Sequence, residues 1–257
     1  MAFYASIAPW YDLLFPFDEE LGAFINQALD PGPAGTVGVR AGKEAVSRHS
    51  FLDVGCGTGT VLSYLTDRFE RVVGLDTDTS LLSLAAKKVL PGEGKKVDII
   101  EGDMNLLRSY FPQEAFCFVS CLGNTLAHAS GPDSLVGVLG SIRELLETGG
   151  VFVFQTINYD RILDNLERGL PTIERGEVSL TRLYSLPKQN GLIDFDTILT
   201  DAETETEIRN SVELYPARKN QLQEYLSAVG FKDVRFYGDF KGADWTPYSF
   251  LCIGVCG

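Results

Sequence analysis

The sequence predicts an α/β fold: a doubly wound, mostly parallel sheet with an antiparallel β-meander inserted in its second half. Three observations carry that expectation. From residue 51 to 156, short continuous apolar runs alternate with helically spaced segments, the pattern of strands covered by helices on both faces. The stretch FLDVGCGTGT (51–60) runs a strand into a turn with glycine at alternate positions. Residues 178–214 then become β-rich in three stretches, VSLTRLYSL, GLIDFDTIL and TETEIRNSVELY, with a Q-N-G turn at 189–191 that favours an antiparallel hairpin.

Taken in order, Phe51–Val54 reads as the first strand. A helix follows over Thr58–Phe69 on Val61, Leu62 and Leu65, and a second strand over Arg71–Leu75. Leu81, Leu82, Leu84, Ala85 and Val89 mark the next helix, Val97–Ile100 the third strand and Ala115–Leu122 the fourth. The helix over Leu135–Leu146 is expected to stop at Gly149-Gly150, before a fifth strand at Val151–Thr156. Beyond the meander come a helix at about 217–229 closed by Gly230 and two final strands, KDVRFYGDF and YSFLCIGVC. The Pro/Gly-rich stretch 30–42 reads as a loop rather than a domain linker.

Composition narrows the function. A chain of 257 residues with 45% hydrophobic content buries a sizeable core. Its formal charge of −13 argues against nucleic acid as a partner, because binding along phosphates needs a positive surface. Cys56, Cys117, Cys121, Cys252 and Cys256 sit in apolar contexts and, with only two histidines in the chain, read as buried thiols rather than zinc ligands. The segment MAFYASIAPWYD lacks the basic-then-apolar order of a leader, and no apolar run reaches the roughly 18 residues of a membrane span, so a cytoplasmic protein without membrane contact is expected.

Gly55, Gly57 and Gly59 let the backbone approach a ligand at the carboxyl end of the first strand. They spell G-x-G-x-G; the dinucleotide fingerprint wants its last glycine where Thr60 stands, and Asp53 is unusual for that turn. Asp76 closes the second strand, where a carboxylate can accept from both ribose hydroxyls, and Asp103 follows the third, in reach of an adenine amino group. Either aspartate is also a natural helix N-cap. Three acids ending three consecutive strands around one glycine loop favour a nucleoside site.

On these residues the chain resembles the class I S-adenosylmethionine-dependent methyltransferases, whose acid-x-G-x-G-x-G loop and strand-end acids match Asp53–Gly59, Asp76 and Asp103. The resemblance implies a Rossmann-like seven-stranded sheet and S-adenosyl-L-methionine as cofactor. It assigns Gly55 and Gly57 to the methionine part, Asp76 to the ribose, Asp103 with Met104 to the adenine, and Leu122 to the same pocket. Asp53 would organise the loop and, through water, the methionine amino group. The implied organisation is an arm and loop over the cofactor at 1–48, a cofactor-binding half at 49–160, a meander or substrate lid at 161–216, and a closing helix and hairpin at 217–257.

CLGNTLAH (121–128), NYDRIL (158–163) and YGDFKGADWTPYSFLCIGV (237–255) further resemble the glycine N-methyltransferase branch, which methylates amines of small molecules. In the glycine enzymes an arginine before N-Y-D pairs with the acceptor carboxylate; here Ile157 occupies that position, which puts glycine itself in doubt. A small-molecule amine is the expected acceptor, a phenol or carboxylate oxygen the alternative, and a non-catalytic cofactor-binding module a third reading. Asn124 is a candidate for orienting the acceptor or a turn residue, and His128 a candidate base or a solvated helix start. Tyr4, Trp10 and above all Tyr11 are placed over the cofactor or as anchors of the arm; Trp245 and Tyr248 are placed in the acceptor pocket. Asp194, Asp196, Asp201, Glu203, Glu205 and Glu207 on the meander read as a lid for a cation or, with more weight, as a solvated edge.

Overall fold

The computed structural model describes residues 3–30 and 48–257, so most of the 30–42 loop lies outside the described residues. A 3-10 turn over Ala5–Trp10 leads into a single helical turn α1 (Tyr11–Leu14) and helix α2 (Glu19–Leu29), which Asp18 caps by accepting from the Glu20 N–H. Strand β1 (Ser50–Val54) follows, then α3 (Thr60–Leu65), β2 (Arg71–Asp76), α4 (Thr79–Lys88) and β3 (Lys96–Glu101). Next come α5 (Leu107–Tyr110), β4 (Phe116–Cys121), α6 (Pro132–Leu145), β5 (Leu146–Ile157) and α7 (Tyr159–Asp164). The second half holds β6 (Gly169–Arg175), β7 (Val178–Tyr184), β8 (Ile193–Asp201), β9 (Thr206–Leu214), α8 (Lys219–Ala228), β10 (Val234–Tyr237) and β11 (Leu251–Cys256).

Seven strands form the main sheet in the order β10-β11-β5-β4-β1-β2-β3. Every neighbour pair is parallel except the two made by β11, which runs antiparallel to both β5 and β10. β1 is buried at all five positions and β4 at all six, which is why their sequences are mainly apolar on both faces rather than alternating. One core lies on each face: Leu52, Val119, Phe152 and Leu139 on one side, Phe51, Phe69, Phe118 and Val153 on the other. Phe51 stacks on Phe118 with ring centroids 5.0 Å apart. Burying such a ring contributes about 1.5–3 kcal/mol. All five cysteines are buried free thiols.

A second sheet, β6-β7-β8-β9, is wholly antiparallel and is the inserted meander, with four strands rather than three. Its unexpected member, β6, contains Pro171 and pairs on one side only, an edge position where a missing N–H is tolerated. Helix α6 also departs from expectation. It ends at Leu145, where Leu146 turns to extended backbone, and Gly149-Gly150 lies inside β5 next to a register shift against β4. Among the described residues no helix is long and apolar enough to cross a membrane.

Candidate active site

The carboxyl ends of β1 to β4 converge on a cavity of about 280 Å³ lined by Gly55, Asp76, Asp103, Met104, Leu122 and their neighbours. At Gly55 the backbone has φ +76°, and its N–H donates to the Leu75 carbonyl at 2.7 Å. A Cβ there would lie 2.4 Å from Thr125 Oγ1, so the position excludes side chains on conformational and steric grounds alike. The Gly57 N–H donates to Asp76 Oδ2 at 2.8 Å, and the Asp78 N–H donates to Asp76 Oδ1 at 2.9 Å. Both carboxylate oxygens are thereby oriented, on a residue that lines the cavity and can accept further hydrogen bonds. Burial raises the Asp76 carboxyl above its ordinary value, and the backbone donors oppose that rise.

The capping alternative divides between residues. Asp78, not Asp76, caps α4 by accepting from the Ser80 and Leu81 N–H groups. Asp103 lines the cavity and is also a cap: its Oδ1 accepts from the Asn105 backbone and side chain, both at 2.8 Å. Leu75, Leu81, Met104 and Leu122 supply apolar walls between the two acids.

Two of the assigned residues lie off the cavity wall. Asp53 is 3% exposed beneath the loop, accepts from Ser120 Oγ, and does not line the cavity. Gly57 does not line it either, because its N–H is turned towards Asp76 and the Tyr11 ring lies over its Cα.

A second cavity, also about 280 Å³, opens between the end of β5, the amino-terminal arm and the inner face of the meander. Tyr4, Tyr11, Gly123 and His128 line both cavities and form the neck between them. There Tyr4 Oη and His128 Nε2 are 2.9 Å apart. Burial holds His128 below its ordinary value, so its ring is neutral at neutral pH, and burial pushes both tyrosine hydroxyls up.

The arm is pinned on both sides. Asp12 pairs with Lys88 Nζ at 2.7 Å and accepts from Thr58 Oγ1, while Trp10 Nε1 donates to Asp201 Oδ2 at 3.0 Å and Asn210 Nδ2 donates to Ser6 Oγ at 2.7 Å. Trp10 is therefore an anchor and lines neither cavity.

Asn124 lines the second cavity at a left-handed φ of 69°. Its Oδ1 accepts from the Ile157 N–H at 3.0 Å and its Nδ2 donates to Tyr159 Oη at 2.9 Å, so the amide ties the β4 loop to the end of β5. Ile157 forms part of the apolar wall. Trp245 and Tyr248 line neither cavity: Trp245 packs on the core beside β10, and Tyr248 is 81% exposed. The reason is Asn158, whose Nδ2 donates to the carbonyls of Thr246, Pro247 and Ser249 and holds that loop by its backbone, leaving the Tyr248 ring outside. None of the meander acids lines a cavity either; Asp194 pairs with Lys188 at 2.6 Å and Glu207 with Arg209 at 2.9 Å.

The residues missed by the motif are Thr125, which meets the glycine loop, Gln155, whose Oε1 fixes the Gly123 N–H at 2.9 Å, and the meander side chains Arg182, Tyr184 and Thr197. The first two carry no signature; the last three follow only from strand register.

Comparison with known proteins agrees with this geometry. Residues 51–150 match the family described as "Methyltransferase domain". The chain is similar to a glycine/sarcosine N-methyltransferase of Aphanothece halophytica, 24% identical over 88% of this chain and 82% of that one. It is also similar to a dTDP-4-amino-2,3,4,6-tetradeoxy-D-glucose N,N-dimethyltransferase of Saccharopolyspora spinosa, 30% identical over 52% of this chain and about half (51%) of that protein's length. Its fold matches the crystal structure of an S-adenosylmethionine-dependent methyltransferase from Clostridium acetobutylicum ATCC 824 with a TM-score of 0.77 at 18% identity, covering 98% of each chain. Residues 51–150 thus match a methyltransferase domain, and the sheet order and acid-flanked glycine loop are those of the class I S-adenosylmethionine-dependent methyltransferase fold.

Proposed function

We infer that the protein transfers the methyl group of S-adenosyl-L-methionine to an amine nitrogen of a small molecule. The observation that carries the reading is the pair of cavities meeting at one neck: a chamber at the strand ends with Asp76, and a mostly apolar chamber behind Tyr4 and His128. The residues suit the cofactor. Asp76 offers oriented lone pairs to ribose hydroxyls, Asp103 and the Met104 N–H a pair of edge contacts to adenine, and the bare Gly55 backbone room for the methionine part.

When bound, the cofactor supplies a methyl group already activated by its sulfonium, so what the chain must provide is alignment. The arm covers the neck and keeps water from it, held by Asp12 to Lys88 and by Trp10 to Asp201. A neutral His128 adds no positive charge beside an incoming amine and keeps one unprotonated ring nitrogen that can take up the proton the amine releases. Both curated relatives are named for N-methylation, which supports nitrogen over oxygen. The test is acceptor profiling with methyl-labelled cofactor across amines, phenols and carboxylates. Label on amines supports the reading; label confined to oxygen, or cofactor binding without turnover on any of them, replaces it with an O-methyltransferase or a non-catalytic module.

A further inference from the structure

The ceiling of the second cavity is the inner face of the four-stranded sheet. In its register Arg182 of β7 stands directly opposite Thr197 of β8, so their side chains leave the sheet side by side on one face. Both line the cavity. Arg182 Nη2 donates to the Pro171 carbonyl at 2.7 Å. Its Nε is buried without a hydrogen-bond partner, and so is Thr197 Oγ1, on a residue only 2% exposed. Among the described residues that line this cavity, Arg182 is the only arginine or lysine, and no aspartate or glutamate lines it.

Neighbouring buried donors with no acceptor, here Arg182 Nε–H and Thr197 Oγ–H, are costly unless a ligand completes them. A guanidinium is also costly there unless an anion offsets it. It stays charged, although burial draws it below its ordinary value. An oxyanion answers all three demands at once, accepting from Nε–H and from Oγ–H while neutralising the charge. Around it the walls are apolar and aromatic, among them Tyr184, Phe195, Leu170, Leu214 and Phe250.

We propose that the acceptor is an amine bearing a carboxylate on an apolar body, the carboxylate seated against Arg182 and Thr197 and the amine reaching the neck at His128. The proposal rests on reading this cavity as the acceptor chamber. Ile157 closes the β5 wall without charge, so the cation arrives from the meander instead.

The test uses the full chain saturated with S-adenosylhomocysteine and two calorimetric probes with one shared body, 3-phenylpropanoate and 3-phenylpropan-1-ol. The wild type is expected to bind the acid at least about tenfold more tightly than the alcohol. Arg182→Met should abolish that preference, and Thr197→Val should reduce it several-fold. Equal binding of the two probes by the wild type overturns the proposal, as does an undiminished preference in Arg182→Met. Failure of the acid to bind with a Kd below about 10 mM overturns it as well. The wild-type comparison needs no variant, so misfolding of Arg182→Met leaves the proposal exposed to refutation. S-adenosylhomocysteine binding is read first in the same cell. Its absence counts against the methyltransferase reading, whereas normal binding without a preference for the acid counts against the carboxylate alone.

Discussion

Replacing Asp53 by asparagine isolates one buried carboxyl from the many on the surface. Asp53 lies at the end of β1, 3% exposed, with Ser120 Oγ donating to it. Burial pushes it up to about 7; the Ser120 hydrogen bond opposes this and the charge of Asp76 adds to it. In the unfolded chain an aspartate titrates near ~3.9. Below that pH both states are protonated and the folded chain suffers no penalty. Between there and 7 the folded chain holds a proton that the unfolded chain has released, so stability falls as pH rises through this window. A displacement of about three pH units corresponds to about 4 kcal/mol, of which about 3 kcal/mol is lost between pH 5 and 8.5. Asparagine has no proton to lose. Urea unfolding of both proteins at several values from pH 5 to 8.5 therefore gives a difference curve in which other carboxylates largely cancel. The variant should gain on the wild type by about 3 kcal/mol across the range. Parallel curves, or a wild type that gains on the variant with rising pH, would refute the reasoning.

Other outcomes follow from the same geometry. Gly55→Ala places a Cβ 2.4 Å from Thr125 Oγ1 at a left-handed φ. Its affinity for S-adenosylhomocysteine should fall at least about tenfold, with partial recovery in Gly55→Ala/Thr125→Ala, since the backbone cost of about 1 kcal/mol remains. Equal losses in the single and double variants would show that Thr125 is not the obstacle. Trp10→Phe removes the donor to Asp201 and should raise the KM for cofactor several-fold with little change in urea midpoint; a lowered midpoint with unchanged KM would make Trp10 purely structural.

Much of the frame was legible because it obeys local rules. β1 and β4 are mainly apolar on both faces since both are covered, and the glycine loop with Asp76 and Asp103 is read from spacing alone. Errors arose where a distant residue decides. Asn158 fixes a loop 88 to 91 positions away, and nothing near Trp245 or Tyr248 reveals that they are turned from the cavities. Gly149-Gly150 looks like a helix stop, but it is absorbed where β5 shifts register against β4. Arg182 and Thr197 are fifteen positions apart on separate strands, and only hairpin register makes them neighbours. Asp201 belonged to an acidic run read as a solvated edge, yet it is the buried partner of Trp10.

The central claim is that the acid-flanked glycine loop holds the adenosyl cofactor, with Asp76 as its oriented acceptor. Calorimetric titration of S-adenosylhomocysteine into the wild type and Asp76→Asn tests it most directly. One site per chain is expected in the wild type, and the variant should bind about 10- to 100-fold more weakly, as loss of charge-assisted contacts worth about 1.5–3 kcal/mol requires. Absence of binding to the wild type, or identical binding to the two proteins, would contradict it.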